Sequence, residues 1–292
     1  MSTDFLVLTA ANGVDEAATQ AAAQVLADTG CATQPANRLA ETAVEIPFER
    51  GTPDITALRA AVDGVDANIV PSVHRRKKLL IADMDSTIIS VECIDELADY
   101  AGVKERVADI TERAMQGELD FEGAIRERVG LLKGLPESAI QQCYEERVHL
   151  NPGARILVQT MNSLGAMTAL VSGGFTYFTG RIAEVAGFQM NRANTLILQD
   201  GHLTGEVAVP ILGREAKLES LLRLCAEGGY PTAEVIAVGD GANDLSMVEA
   251  AGLGVAYHAK PALAQKADAR LDYSDLTALL SLQGISEREY AG

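Results

Sequence analysis

Lys78-Leu79-Leu80-Ile81-Ala82-Asp83-Met84-Asp85-Ser86-Thr87 is the stretch on which the fold turns. Its apolar run lacks alternation, as expected of a strand covered on both faces in a parallel sheet. The run ends in two aspartates one residue apart, followed by two hydroxyls. Carboxylates so placed sit just beyond the carboxyl edge of a sheet, where open α/β folds bind their ligands. One can attack a phosphorus atom while the other carries a proton, and both lie where a divalent cation would be held. An isolated Asp-x-Asp usually marks no more than a polar turn. Here a second acidic cluster, Asp240 to Asp244, and a lysine, Lys217, follow in the order such chemistry requires.

Outward from that strand, the chain alternates apolar strands with amphipathic helices. Strands are expected at Leu79–Asp83, Ala166–Val171, Thr195–Leu198, Val235–Gly239 and Leu253–Ala256, with helices such as Phe175–Ala186 and Glu215–Cys225 between them. That pattern predicts an α/β fold, a doubly wound parallel sheet covered on both faces. Residues 94–150 are helical in pattern, as a cap inserted over an active site would be. Leu203-Thr204-Gly205-Glu206 reads as part of a small hairpin. Before the sheet, residues 1–74 read as a separate α+β unit. Strands at Phe5–Thr9, Ala32–Ala36, Thr42–Phe48 and Ala67–Val70 alternate with helices at Asp15–Asp28 and Asp54–Val62, giving βαββαβ. Residues 75–292 would then form the second domain. The basic run His74-Arg75-Arg76-Lys77-Lys78 between the two is expected to be a solvated linker.

Composition limits the function. At 292 residues the chain exceeds the usual single domain, and 48% apolar residues suit a soluble protein with a proper core. A formal charge of −17 argues against nucleic-acid or anionic-membrane partners, which require a positive surface. Cys31, Cys93, Cys143 and Cys225 are widely spaced and are expected as buried thiols rather than a disulfide framework or zinc site. The first residues lack the basic start and apolar run of a signal peptide, and no apolar stretch could span a bilayer. A cytoplasmic protein is expected.

Asp83-Met84-Asp85-Ser86-Thr87, Ser172-Gly173-Gly174, Lys217 and Gly239-Asp240-Gly241-Ala242-Asn243-Asp244 occur in that order. Together they resemble the four motifs of the haloacid dehalogenase (HAD) superfamily of aspartate-nucleophile phosphohydrolases. Val91-Glu92-Cys93-Ile94-Asp95-Glu96, Asp120-Phe121-Glu122 leading to Arg126-Glu127-Arg128-Val129, and Val171 to Phe175 are similar to the phosphoserine phosphatase family within it. The likeness runs from Leu79 to the C-terminus. The N-terminal unit resembles ACT-type modules, which sense amino acids or dimerise, and a homodimer is expected on that ground.

The resemblance implies Mg²⁺-dependent hydrolysis of O-phospho-L-serine, the last step of serine synthesis. Asp83 would be the nucleophile, forming an acyl phosphate that water later hydrolyses. Asp85 would protonate the leaving seryl oxygen and then deprotonate water. Its main-chain carbonyl, rather than its carboxylate, would touch the metal, together with Asp83 and Asp240. Hard oxygen ligands suit Mg²⁺ better than zinc. Asp244 would support the metal shell, and Thr87 would buttress the loop by hydrogen bonding. Ser172, Gly173 and Asn243 would bind phosphate oxygens, and Lys217 would neutralise their charge. Phosphoserine also carries an ammonium, which Glu92 can pair, and a carboxylate, which Arg128 can hold bidentately. Met115 and Phe121 would line the closed pocket. Two alternatives stay open at this point: a HAD phosphatase or phosphomutase acting on another small phosphomonoester, and an amino-acid sensor with a vestigial catalytic domain.

Overall fold

A computed structural model describes residues 3–115 and 118–291. The N-terminal unit comprises β1 (Asp4–Thr9), α1 (Glu16–Asp28), β2 (Ala32–Thr33), β3 (Asn37–Ala40), β4 (Ala43–Glu49), α2 (Ile55–Ala61) and β5 (Asp66–Pro71). Both helices start where an aspartate accepts free N–H groups of the first turn: Asp15 from Ala18, and Asp54 from Thr56 and Ala57. The strands form an antiparallel sheet in the order β2-β4-β1-β5, with β3 also paired to β4. Alternation on β1 explains why its sequence, Phe5-Leu6-Val7-Leu8, is apolar throughout. Leu6 and Leu8 face the unit's own helices, whereas Phe5 and Val7 pack into the core of the following region.

The second region contains β6 (Leu79–Ala82), then α3 (Cys93–Tyr100), α4 (Lys104–Met115), α5 (Phe121–Leu131), α6 (Glu137–Arg147) and α7 (Ala154–Ser163). It continues through β7 (Met167–Phe175), α8 (Thr176–Ala186), β8 (Met190–Asn194), β9 (Leu196–Gln199), β10 (His202–Val207) and α9 (Arg214–Gly228). β11 (Val235–Gly239), α10 (Leu245–Ala250), β12 (Leu253–Tyr257), α11 (Pro261–Ala264), β13 (Ala269–Leu271) and α12 (Ala278–Leu282) complete it. Six strands form an all-parallel sheet in the order β13-β12-β11-β6-β7-β8. Leu80 and Ala82 bury into one face and Leu79 and Ile81 into the other, so β6 is apolar at every position. After β6 the chain winds outward through β7 and β8, then crosses to β11 on the opposite side. The carboxyl ends of β6 and β11 therefore meet where the winding reverses, the usual ligand crevice of such sheets.

Three expectations need correction. The N-terminal unit runs βαβββαβ rather than βαββαβ, because Asn37–Ala40 forms a further strand against β4. The apolar segment near Thr195–Leu198 is not a strand of the parallel sheet. Residues 196–199 pair with β10 in a separate hairpin against the cap, and the outer sheet strand is the more polar Met190–Asn194. The basic run is a solvated linker only in part: His74, Arg76 and Lys78 are exposed, whereas Arg75 and Lys77 are not. Arg75 lies over the Phe5 ring at 3.9 Å, pairs with Glu45 at 2.7 Å and donates to the Leu282 carbonyl. Lys77 is buried and donates to the Ala233 carbonyl at 2.8 Å; burial pulls its ammonium down to about 8. These cations tolerate burial because carbonyls and a carboxylate replace their water.

Two buried side chains of β5 extend the attachment. The Asn68 amide donates to the Arg270 carbonyl and accepts from the Arg270 N–H, as a neighbouring strand would. Asp66 accepts from the Asp272 and Tyr273 N–H groups and from the Ser274 hydroxyl. The four cysteines are buried and free. Among the described residues no helix is long and apolar enough to cross a membrane.

Candidate active site

Asp83 directly follows β6 and donates its N–H to the Val238 carbonyl of β11 at 3.0 Å, which fixes it at the reversal of the sheet. It is buried, as is Lys217 from the first turns of α9. Lys217 Nζ lies 2.7 Å from Asp83 Oδ1 and 2.5 Å from Asp244 Oδ1. The other Asp244 oxygen accepts the N–H groups of Asp240 and Gly241 at 3.2 and 3.1 Å, closing the turn after β11. Asn243 Nδ2 reaches Asp83 Oδ2 at 3.5 Å.

Carboxylate oxygens of Asp83, Asp240 and Asp244 lie within 4.8 Å of one another, all three groups buried. Asp83 Oδ1 receives no hydrogen bond of good geometry among the described residues, despite the nearby ammonium. Three buried carboxylates that share one ammonium, with oxygen donors alone, fit a hard divalent cation. Burial first, then Asp244, pushes the Asp83 carboxyl well above its ordinary range, against the opposing pull of Lys217. Burial and then Asp244 hold Asp240 up at about 6. Burial alone would lower the Lys217 ammonium, but Asp244 and Asp83 outweigh it and raise it.

Asp85 is turned away from this cluster. Its Oδ1 accepts the Cys93 N–H at 2.8 Å, and its Oδ2 accepts the Ser172 hydroxyl at 3.1 Å. Burial, then the charge of Glu92, pushes its carboxyl up to about 6. The turn between the aspartates and α3 places Ser86 at φ 55°, from which its hydroxyl donates to Glu92 at 2.7 Å. Ser172 itself accepts the Gly174 N–H at 2.8 Å. A Cβ on Gly174 would come 2.6 Å from Asp85 Oδ2, so this position admits no side chain without displacement.

The cap supplies the remaining predicted residues. Arg128 on α5 donates to its own Ala124 carbonyl and lies within the fields of Asp95 and Glu92. Phe121 opens α5, and its ring would be 3.2 Å from a Cβ on Gly173 and 3.1 Å from one on Gly213. The Met115 side chain lies outside the described residues. Thr87 does not act as expected: its hydroxyl is buried with no partner among the described residues. The loop is held instead by Asn151, whose amide donates to the Thr87 and Ile89 carbonyls at 2.8 and 3.1 Å. Sequence reasoning missed Asn151, and it missed the Cys93 N–H as a holder of Asp85. The position of Cys93 just after Glu92 at a helix start was the available signal.

The family model described as haloacid dehalogenase-like hydrolase matches residues 80–249. The chain is 44% identical over 235 residues to a phosphoserine phosphatase of Streptomyces coelicolor, covering 80% of this chain and 57% of that one. It thus spans less than two thirds of that relative's length. A HAD family hydrolase from Salmonella enterica serovar Typhi superposes with a TM-score of 0.86 at 31% identity, covering 97% of this chain and 98% of that one. A phospho-aspartyl intermediate analogue of phosphoserine phosphatase superposes with a TM-score of 0.66 at 42% identity, covering 70% of this chain and 98% of that chain. With more than half of its length in the family model and nearly the whole of a phosphoserine phosphatase matched, this chain belongs to the haloacid dehalogenase-like hydrolases and, within them, to the phosphoserine phosphatase family.

Proposed function

We propose that this chain hydrolyses O-phospho-L-serine to serine and phosphate through a phosphorylated Asp83. The observation that carries the reading is the contrast between two aspartates one residue apart. Asp83 faces Lys217 and the carboxylate cluster, whereas Asp85 is held by one amide and one hydroxyl at a raised pKa of about 6. A nucleophile needs nearby positive charge, which Lys217 supplies and a cation at the cluster would extend against the burial that raises Asp83; Asp85, held up at about 6, can exchange a proton near neutral pH.

In the first step Asp83 attacks phosphorus as the bond to the seryl oxygen breaks, and Asp85 gives its proton to that oxygen. In the second, Asp85 takes a proton from water, the water oxygen attacks phosphorus, and the Asp83 carboxylate is released. Ser172, the Gly173 amide and Asn243 orient the phosphoryl oxygens, and Lys217 offsets their charge. A Mg²⁺ held by Asp83, Asp240 and the Asp85 main-chain carbonyl, with Asp244 behind, would supply charge favouring an ionised nucleophile. Glu92 pairs with the substrate ammonium and Arg128 with its carboxylate, while Phe121 covers the phosphate loop.

The reading is tested by phosphate release from a panel of small phosphomonoesters, with and without Mg²⁺. Phosphoserine is expected to have the highest kcat/KM, with turnover lost in Asp83→Asn and cut by about 10²–10⁴ in Asp85→Asn. A higher kcat/KM for a phosphosugar would overturn the substrate, and retained turnover in Asp83→Asn would overturn the nucleophile.

A further inference from the structure

Asn194, the last residue of β8, is 2% exposed and sits behind the site rather than in it. Its amide nitrogen donates to the Gly173 carbonyl at 2.8 Å and to the Leu212 carbonyl at 3.1 Å. Its oxygen accepts the Leu212 N–H at 2.7 Å. The amide can face only this way, because the reverse orientation would set its oxygen against two carbonyls. One side chain thus ties the carboxyl end of β7 to the segment leading into α9.

From these contacts we infer that Asn194 is a positioning residue for the phosphate-binding end of β7. This rests on the function proposed above. The Gly173 carbonyl and the Gly174 N–H belong to one planar peptide group, so fixing the first orients the second. That N–H donates to Ser172 Oγ, and the Ser172 hydroxyl donates to Asp85. The chain of bonds therefore runs from Asn194 through one peptide plane to the hydroxyl beside the acid. On its other side, Asn194 fixes Leu212, next to Gly213, and the Phe121 ring bears on both Gly173 and Gly213. The spacing of those two glycines, which Asn194 sets, is the seat on which the cap residue rests. Asn194 touches no reacting atom; it acts on the phosphoryl group common to every phosphomonoester, and not on the amino-acid end.

The test uses the full chain with Mg²⁺, comparing wild type with Asn194→Ala and Asn194→Ser. The inhibition constant for inorganic phosphate is the main readout, because it does not depend on the fraction of active protein. It is expected to rise about tenfold or more, the loss of one well-placed contact. kcat/KM is expected to fall by a similar factor for phosphoserine and for an aryl phosphate. Folded variants with a phosphate inhibition constant within twofold of wild type, or with a loss confined to phosphoserine, would overturn the assignment. Asn194→Ser leaves room for a water in place of the amide and decides the matter should Asn194→Ala not fold. A wild-type chain that released no phosphate from any ester would instead overturn the proposed function.

Discussion

Replacing Lys217 with methionine removes the ammonium that lies between two buried carboxylates, at 2.7 Å from Asp83 and 2.5 Å from Asp244. Breaking a buried pair by deleting one partner costs about 3–5 kcal/mol, because the remaining charge has neither water nor counter-ion. Unfolding entropy near the midpoint is about 2.1 cal/mol/K per residue, or about 0.6 kcal/mol/K for a chain of this length. The melting temperature in EDTA should therefore fall by about 5–8 °C. The deficit should depend on pH with a defined sign. The folded Asp83 carboxyl is already raised by burial and Asp244, and losing Lys217 raises it further. A raised carboxyl adds stability below its unfolded value, and that stability is lost as pH rises through the folded value. The deficit should thus be larger at about pH 8 than at about pH 5.5. Saturating Mg²⁺ should recover part of it, while kcat stays about 10²–10³-fold down. Melting by circular dichroism at both pH values, with and without Mg²⁺, provides the measurement. A shift under 1 °C in EDTA, or one independent of pH, would refute the reasoning.

Arg128→Ala should raise KM for phosphoserine by about 10–100-fold, the loss of a charge-assisted contact, and leave an aryl phosphate without a carboxylate nearly unaffected; equal effects would remove Arg128 from recognition. Asp85 and Asp240 are both held up at about 6, so in EDTA each stabilises the chain at low pH and loses that contribution as pH rises through about 6. The loss is at most about 3 kcal/mol per group, so the rise in melting temperature on adding Mg²⁺ should be larger at about pH 7.5 than at about pH 5.5, and an equal rise would count against a cation at this cluster. Asp66→Ala strands three donors that the buried carboxylate accepts and should lower the melting temperature by about 3–5 °C with KM unchanged. A changed KM in that variant would reveal coupling between the N-terminal sheet and the site.

The two sheets were legible in the sequence to the extent that burial follows residue type. β6 and β11 are apolar because both faces are covered, and the acidic residues that follow them are conspicuous against that background. β8 was not legible, since Asn191 and Arg192 make it polar beside apolar sheet strands. In the fold they are satisfied by Thr179 and Ser220, partners distant in sequence. The apolar Leu196-Ile197-Leu198 was misplaced for the converse reason, because its hairpin packs against the cap rather than in the sheet. The expectation of a solvated linker failed at Arg75 and Lys77, because a run of cations is solvated by default. Only the fold reveals that Glu45 and the carbonyls of Ala233 and Leu282 await it. The roles of Asn151 and Asn194 are invisible in one dimension, since each exists only through carbonyls that the fold brings within reach.

The acidity of the chain raises a difficulty that the site geometry turns into a constraint. Asp83, Asp85, Asp240 and Asp244 set four carboxylates against the single ammonium of Lys217, leaving three negative charges if all are ionised. A phosphomonoester dianion would be repelled from such a pocket, and the net charge of −17 over the whole chain would add to the repulsion. A divalent cation reduces the excess to one negative charge. Protonation of Asp85, whose carboxyl is held up at about 6, removes that last one. With Asp83 ionised, as the proposed attack on phosphorus requires, the pocket would be neutral toward a phosphomonoester once cation and proton were both in place. In the proposed reaction, departure of serine would carry the proton away and restore a negative charge on Asp85. That carboxylate would then be ready to draw a proton from water, so one charge balance would both admit the ester and prepare the second step of the proposed reaction.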